Sequence, residues 1–218
     1  MDNKVILPFA VEKEYYVDPV EVKKKPTYEC FKRLFDIVVS VIAIIVLAIP
    51  MIIVAIMVKC TSKGPSIFKQ DRLGLNGKKI MVYKYRTMYV DAEKDGAQWS
   101  KGEEDERITP LGRKLRSYRI DELPQLWNIL KGDLSIVGPR PERACFYEEF
   151  EKYVHGFSER MKVKPGLTGL AQINGGYTLR PEEKIIYDVE YIKNRGFWYD
   201  LKIIYKTVAV VFSCDGAK

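Results

Sequence analysis

The sequence predicts a mainly helical α+β protein held at a membrane by one apolar helix, and three observations lead there. Residues 37–58 (IVVSVIAIIVLAIPMIIVAIMV) carry no charge. The stretch SIFKQDRLGLNGKKIMVYKYRTM places two strand-like runs about a turn between Gly74 and Gly77. Beyond it lie three segments of helical spacing and an aromatic, apolar tail. At 218 residues the chain suits one compact domain, and 47% hydrophobic with 30% charged residues excludes a disordered polymer.

The apolar run comes first. A cleavable signal is not the reading, because some thirty residues rich in charge precede it. At about 1.5 Å per residue it reaches roughly 33 Å, so length alone admits an ordinary span of a hydrocarbon core of about 30 Å. Two features argue for a re-entrant helix instead. Pro50 removes a backbone donor and crowds the preceding turn, dividing the run into pieces of roughly 20 Å and 12 Å, neither of which crosses alone. Both flanks are basic, with Lys23, Lys24, Lys25, Lys32 and Arg33 before and Lys59, Lys63, Lys69 and Arg72 after, so charge gives no preferred orientation. The expected organisation is an extended, partly disordered lead over 1–29, a re-entrant helix over 30–60 broken at Pro50, and a cytosolic domain over 61–218. The carbonyl freed by Pro50 needs a partner, and Ser40 is a local candidate.

After the hairpin, the polar stretch 91–110 reads as a surface loop. LGRKLRSYR then spaces Arg113, Arg116 and Arg119 along one helix, and DELPQLWNILKG spaces Leu123, Leu126, Trp127 and Leu130 on one face of the next. PEEKIIYDVEYIKNRG opens with Pro181 and stops near Gly196. FWYDLKIIYKTVAVVF mixes aromatic, apolar and lysine residues and fits either core or a membrane interface.

Charge and residue counts narrow the chemistry. Thirty-six Lys and Arg against 29 Asp and Glu give +7, which favours anionic partners. Four cysteines without a C-x-x-C pair and a single histidine, His155 in a charged stretch, disfavour zinc sites, disulfide scaffolds and imidazole-based catalysis. Neither a P-loop nor a Rossmann fingerprint is present. Asp121 and Glu122 begin the DELP helix beside the basic run. There they either serve the helix dipole or, kept ionised by neighbouring guanidinium groups, act on a bound phosphate, with the Asp as a nucleophile. Pro139 and Pro141 stiffen the loop that carries Arg140, which suits a phosphate clamp or a salt bridge. The glycine-rich stretch KPGLTGLAQINGG offers backbone N–H groups that can approach a ligand.

Taken in order, FKRLFD before the apolar run, GP-SIFKQDRLG, YKYRTM, LGRKLRSYRIDELPQLWNILKGDLSIVGPRP and KPGLTGLAQINGG resemble the bacterial sugar transferases of the monotopic phosphoglycosyl transferase type, over about residues 30–212. The resemblance implies a fold of interfacial helices and a small β-hairpin around a membrane-edge active site. It implies transfer of sugar-1-phosphate from a UDP-sugar to a polyprenol phosphate, commonly undecaprenyl phosphate, with Mg²⁺ and release of UMP. The setting it implies is the cytoplasmic face of the bacterial inner membrane, as the first membrane step of exopolysaccharide, capsule or other glycoconjugate assembly.

Carried over by motif, Asp121 is the nucleophile, and Glu122 assists by binding metal with it or as a base. Arg116 and Arg140 contact phosphate, with Lys84 and Arg86 nearby, and Asp188 matches another acidic position of the active site. Two departures stand out. Ile49 precedes Pro50 where many relatives have Ser, and Gly176 stands where many have Arg, a loss for which Arg180 is the candidate compensation. Membrane lipid is a further expected partner, a homodimer or downstream glycosyltransferases are others, and nucleic acid is not expected. The competing class is a non-catalytic, membrane-anchored module that binds anionic lipid or nucleic acid through Arg113–Arg119.

Overall fold

The computed structural model describes residues 5, 7, 9–94, 98, 105–176 and 178–213. Mainly helical α+β is the observed class. Strand β1 (Tyr15–Tyr16) is followed by the long helix α1 (Pro26–Thr61), the hairpin β2 (Ile67–Leu73) and β3 (Lys79–Tyr85), and helix α2 (Pro110–Ser117). A 3₁₀ segment, Ile120–Gln125, leads into α3 (Leu126–Lys131), β4 (Ser135–Val137), α4 (Ala144–Phe150) and β5 (Val154–His155). The chain then forms β6 (Gly166–Thr168), α5 (Leu170–Ile173), α6 (Pro181–Asn194) and α7 (Phe197–Ser213). The strands make three two-stranded pairs: β2 with β3 antiparallel, β1 with β5 parallel and β4 with β6 parallel.

Helix α1 starts with Pro26 in its first turn, where a missing N–H costs nothing. It stays helical through Pro50, so the expected division into two pieces is corrected to one helix of 36 residues. Support from a single body explains the continuity. Ala43 and Ile44 pack on the core around Val82, Leu126 and Ile129, while Met51, Val54 and Ala55 pack on the core around Tyr85 and Leu115. Ser40 is buried and its hydroxyl has no hydrogen-bond partner, so it does not serve the carbonyl freed by Pro50. The opposite face is bare, with Ile45, Val46 and Ile49 each about 70% exposed (70%, 69% and 72%). An apolar strip of that kind is not left to water.

Polar contacts tie both ends of α1 to the same domain. At the start, Lys32 Nζ donates to Asp200 Oδ2 at 2.5 Å, and Arg33 donates to the carbonyls of Ile129 and Leu130. At the end, Ser66 Oγ donates to the Ala55 carbonyl and Arg86 Nη2 to the Ser62 carbonyl at 2.7 Å.

The lead differs from expectation. It is extended, but it is packed across the domain: β1 pairs with β5, Val17 and Tyr15 lie against the core of Phe146, Phe150 and Phe157, and Val20 is buried against Val163 and Ile203. The disorder expected of residues 1–4, 6 and 8 concerns positions outside the described residues, as does most of the middle of the expected loop 91–110. In the DELP segment, Leu126 and Ile129 form the buried side, whereas Trp127 is exposed, because a 3₁₀ turn and not an α-helix opens it and rotates the later side chains.

Candidate active site

The site is built where β3 runs out. Thr109 caps α2 by accepting from the Gly112 N–H at 2.9 Å, and Gly112 lies so close to the strand's exit that a Cβ there would meet the Thr87 carbonyl at 2.1 Å. This approach brings Arg116 to the strand, with its Nε donating to Thr87 Oγ1 at 2.9 Å. Arg119 then takes a left-handed conformation (φ 57°, ψ 17°), uncommon for a residue with a side chain, and turns the chain back. Pro124, which has no N–H to donate, is accommodated in the 3₁₀ turn that follows. The result places Asp121 and Glu122, 4% and 6% exposed, beneath the end of β3.

The two carboxyl groups meet different fates. Glu122 accepts from Arg140 Nη2 at 2.5 Å and Lys84 Nζ at 3.1 Å, and Arg119 Nη1 lies 4.0 Å away. Burial works against its charge, but Arg140, Lys84 and Arg119 outweigh burial and hold it ionised well below the usual carboxylate range. Burial and the charge of Glu122 push Asp121 up to about 6 against the pull of Lys84, Arg116 and Arg140. Asp121 Oδ1 is buried without a hydrogen-bond partner in the protein. A buried carboxylate oxygen without a partner calls for a specific explanation.

Asp121 lines a cleft of about 590 Å³ together with Lys84, Arg86, Arg116, Arg140 and Lys184. Four of the expected phosphate contacts, Lys84, Arg86, Arg116 and Arg140, therefore converge on one space. Glu122 stands behind the wall as the anion that fixes Lys84 and Arg140. Arg86 has a second task, since its Nη2 also bonds Ser62 Oγ at 2.8 Å and fastens the end of α1. Asp188 lies elsewhere: it is fully buried in an ion pair with Arg160 Nε at 2.7 Å and does not line the cleft. Nor does Arg180 reach it. That residue precedes α6, exposed, 4.0 Å from Glu182 and over the Phe9 ring, so the compensation expected for Gly176 is not made, although Gly176 itself lines the cleft. The expected array Arg113–Arg119 is no outer patch, because Arg116 and Arg119 turn into the cleft and only Arg113 is exposed.

Sequence reasoning passed over Arg72, Glu142 and Lys184, which also line the cleft. The signal for Glu142 was its place directly after the stiff Pro-Arg-Pro loop. Lys184 carried none, because a lysine in an amphipathic helix reads as solvated.

A magnesium ion fits this arrangement without a dedicated protein cage. Mg²⁺ is commonly bound through one or two carboxylates, several waters and substrate phosphate. Among the described residues there is no cluster of three or more metal-binding side chains, but Asp121, whose Oδ1 has no partner in the protein, supplies the one carboxylate such an ion needs, while Glu122 is engaged by Arg140 and Lys84.

Comparison with known proteins follows the same line. The family model for bacterial sugar transferases matches residues 27–214. A UDP-glucose:undecaprenyl-phosphate glucose-1-phosphate transferase of Klebsiella pneumoniae is 46% identical over 183 residues, 82% of this chain and 39% of that protein. A UDP-N-acetylgalactosamine-undecaprenyl-phosphate N-acetylgalactosaminephosphotransferase of Aeromonas hydrophila is 39% identical, over 88% of this chain and 46% of its own length. A UDP-glucose:undecaprenyl-phosphate glucose-1-phosphate transferase of Caulobacter vibrioides is 38% identical, with 85% and 71% covered. The chain thus spans less than half of the first two relatives.

Proposed function

The chain belongs to the bacterial sugar transferase family, and from that premise we propose that it moves a sugar-1-phosphate from a UDP-sugar to undecaprenyl phosphate through a covalent intermediate on Asp121. The observation that carries the reading is that Asp121, whose buried Oδ1 has no hydrogen-bond partner in the protein, lines a cleft walled by Lys84, Arg116 and Arg140.

The chemistry balances in two displacements. Ionised Asp121 attacks the sugar-bearing phosphorus; a carboxylate O–P bond forms, the bridging P–O bond to UMP breaks, and UMP leaves with the electron pair. An oxygen of undecaprenyl phosphate then attacks the same phosphorus, and Asp121 departs as carboxylate, leaving a lipid-linked diphosphosugar. Arg116, Arg140 and Lys84 offset the repulsion between nucleophile and diphosphate. Glu122 keeps Arg140 and Lys84 in place, which makes it a positioning residue for the phosphate contacts. Asp121 would hold magnesium with the substrate's oxygens and water, and the ion would supply further neutralisation of the diphosphate charge.

The membrane setting follows as part of the same proposal. The reading is that both ends of α1 stay on the side of one leaflet, the helix dipping into it without crossing, with the domain at the cytoplasmic face, where the soluble nucleotide and the lipid phosphate meet. What supports it is that one domain grips both ends of α1, from Lys32 to Ser62. A true span would carry one of those ends to the far side. Exposed Phe197, Trp198 and Tyr205 on α7 suit the headgroup layer on the same side. In a cell the product would open the assembly of a surface glycan.

The test is direct. Full-length protein in lipid nanodiscs, given a radiolabelled UDP-sugar and Mg²⁺ without acceptor, is expected to release one equivalent of UMP and to carry the label on the peptide containing Asp121; undecaprenyl phosphate then discharges it to lipid. Label on another residue, or undiminished turnover by Asp121→Ala, defeats the reading.

A further inference from the structure

The cleft contains a second buried carboxylate to which the phosphoryl chemistry gives no task. Glu142 is 6% exposed, in the loop between β4 and α4, and lines the cleft. Its Oε2 accepts from Arg72 Nη1 at 2.8 Å and its Oε1 lies 3.9 Å from Lys184 Nζ. Burial disfavours the charge of Glu142, yet Lys184 and Arg72 hold it ionised, below its ordinary range. Lys184 is pushed down to about 8, chiefly by burial.

An anion in the wall of a cleft built for a diphosphate repels the phosphates themselves. A neutral, hydroxyl-bearing part of the ligand suits it well. Each hydroxyl can donate to the carboxylate while its oxygen accepts from the adjacent ammonium or guanidinium, so acceptor and donors alternate as a polyol requires. The place along the substrate follows from Arg140. That guanidinium hydrogen-bonds Glu122, the chain neighbour of Asp121, and stands two residues before Glu142 in the same loop, and Asp121, Arg140 and Glu142 all line the one cleft. With the reacting phosphorus at Asp121, the nearest neutral group is the sugar, whereas the ribose lies beyond the second phosphate.

Resting on the transfer reading above, we propose that Glu142, held by Arg72 and Lys184, reads the sugar of the donor: its carboxylate accepts hydrogen bonds from hexose hydroxyl groups and sets which UDP-sugar is taken. The two carboxylates of the cleft then divide the substrate, Asp121 taking the phosphorus and Glu142 the pyranose.

The experiment measures binding, so that it does not depend on turnover. Full-length protein and its Asp121→Asn form in nanodiscs are titrated by calorimetry with UDP-glucose, UDP-galactose, UDP-N-acetylgalactosamine and UMP, alone and combined with Glu142→Gln or Lys184→Gln. Both changes are expected to weaken the preferred UDP-sugar about tenfold or more, as for a site that loses a charged partner to a substrate hydroxyl, and to narrow the spread among the three sugars. UMP affinity is expected to stay within about twofold. Equal loss for UMP and the UDP-sugars assigns these side chains to the nucleoside or to the fold and overturns the proposal, as does an unchanged sugar preference. Sugar-dependent binding without UMP release from any donor removes the transferase reading and leaves the role of Glu142 standing.

Discussion

Two adjacent carboxyl groups, Asp121 and Glu122, share a sequence environment and differ in state because the cations are distributed unequally. Glu122 takes the hydrogen bonds of Arg140 and Lys84; Asp121 keeps a bare oxygen and lies near 6. On the proposed mechanism the nucleophile is the ionised form, so the burst of UMP release is expected to be flat above about pH 7 and to fall about tenfold per unit well below 6, as quenched-flow across pH 4.5–8 would show. The sign for stability is opposite. A carboxyl whose folded value lies above its unfolded one stabilises the fold while protonated, fully below about 3.8, and that contribution is lost as pH rises through about 6. Asp121→Asn is therefore expected to abolish the adduct while raising stability at pH 7.5 on the order of 2 kcal/mol. A thermal melt lower than wild type would contradict this. Glu122→Gln is expected to act through its cations. Loosening Arg140 and Lys84 raises the KM for UDP-sugar about tenfold or more, and a KM left unchanged would show that the pair needs no anchor. At this scale the sequence was informative where motif and chemistry agreed, at Asp121, Lys84, Arg116 and Arg140. It was silent on Lys184 and gave Glu142 only its place after the Pro-Arg-Pro loop; their meaning comes from the elements that bring residues 72, 142 and 184 together.

Among the elements, those with a local cause were legible. The hairpin about Gly74–Gly77, α2 behind its Thr109 cap and α6 behind Pro181 form where turn chemistry and capping place them. The opening of the DELP segment was not legible, since its conformation depends on Arg119 adopting a left-handed turn under β3, a tertiary cause. Helix α1 was visible by composition, but its limits and its passage through Pro50 follow from packing along the domain. Its ends offer a topology test with native residues. Cys30 and Cys60 are both exposed near its termini, and with Cys145 and Cys214 replaced by Ala, a membrane-impermeant maleimide is expected to label both from the cytoplasmic side only. Labelling of one cysteine from each side means a span.

For the molecule as a whole, the sequence indicated a basic protein with a membrane segment, but not how the two combine. Net charge of +7 looks like a diffuse attraction, whereas much of it is drawn inward around the cleft, with Lys84, Arg116 and Arg140 facing the space that Asp121 also faces. The exposed apolar surface is larger than the single run of the sequence, because Trp198 and Tyr205 of α7 are 80% and 79% exposed, on a helix whose Asp200 meets Lys32 at the start of α1. In a chain retaining Trp198 as its sole tryptophan, lipids brominated near the headgroup end of the acyl chain are expected to quench its fluorescence strongly. Quenching by aqueous iodide in its place would put α7 in water.

The packed lead has a consequence for biosynthesis. Val20 bonds through its N–H to Glu159, 139 residues later in sequence, and Tyr15 pairs with Val154, so α1 sits inside a chain loop that only a late-made segment closes. Closing so long a loop carries an entropic cost of several kcal/mol and makes the contact a slow one. While the ribosome is still making β5, the apolar helix has already emerged with nothing clasped around it. On the proposed membrane setting its entry into lipid would come first and the clasp would lock afterwards, ordering membrane insertion before domain closure.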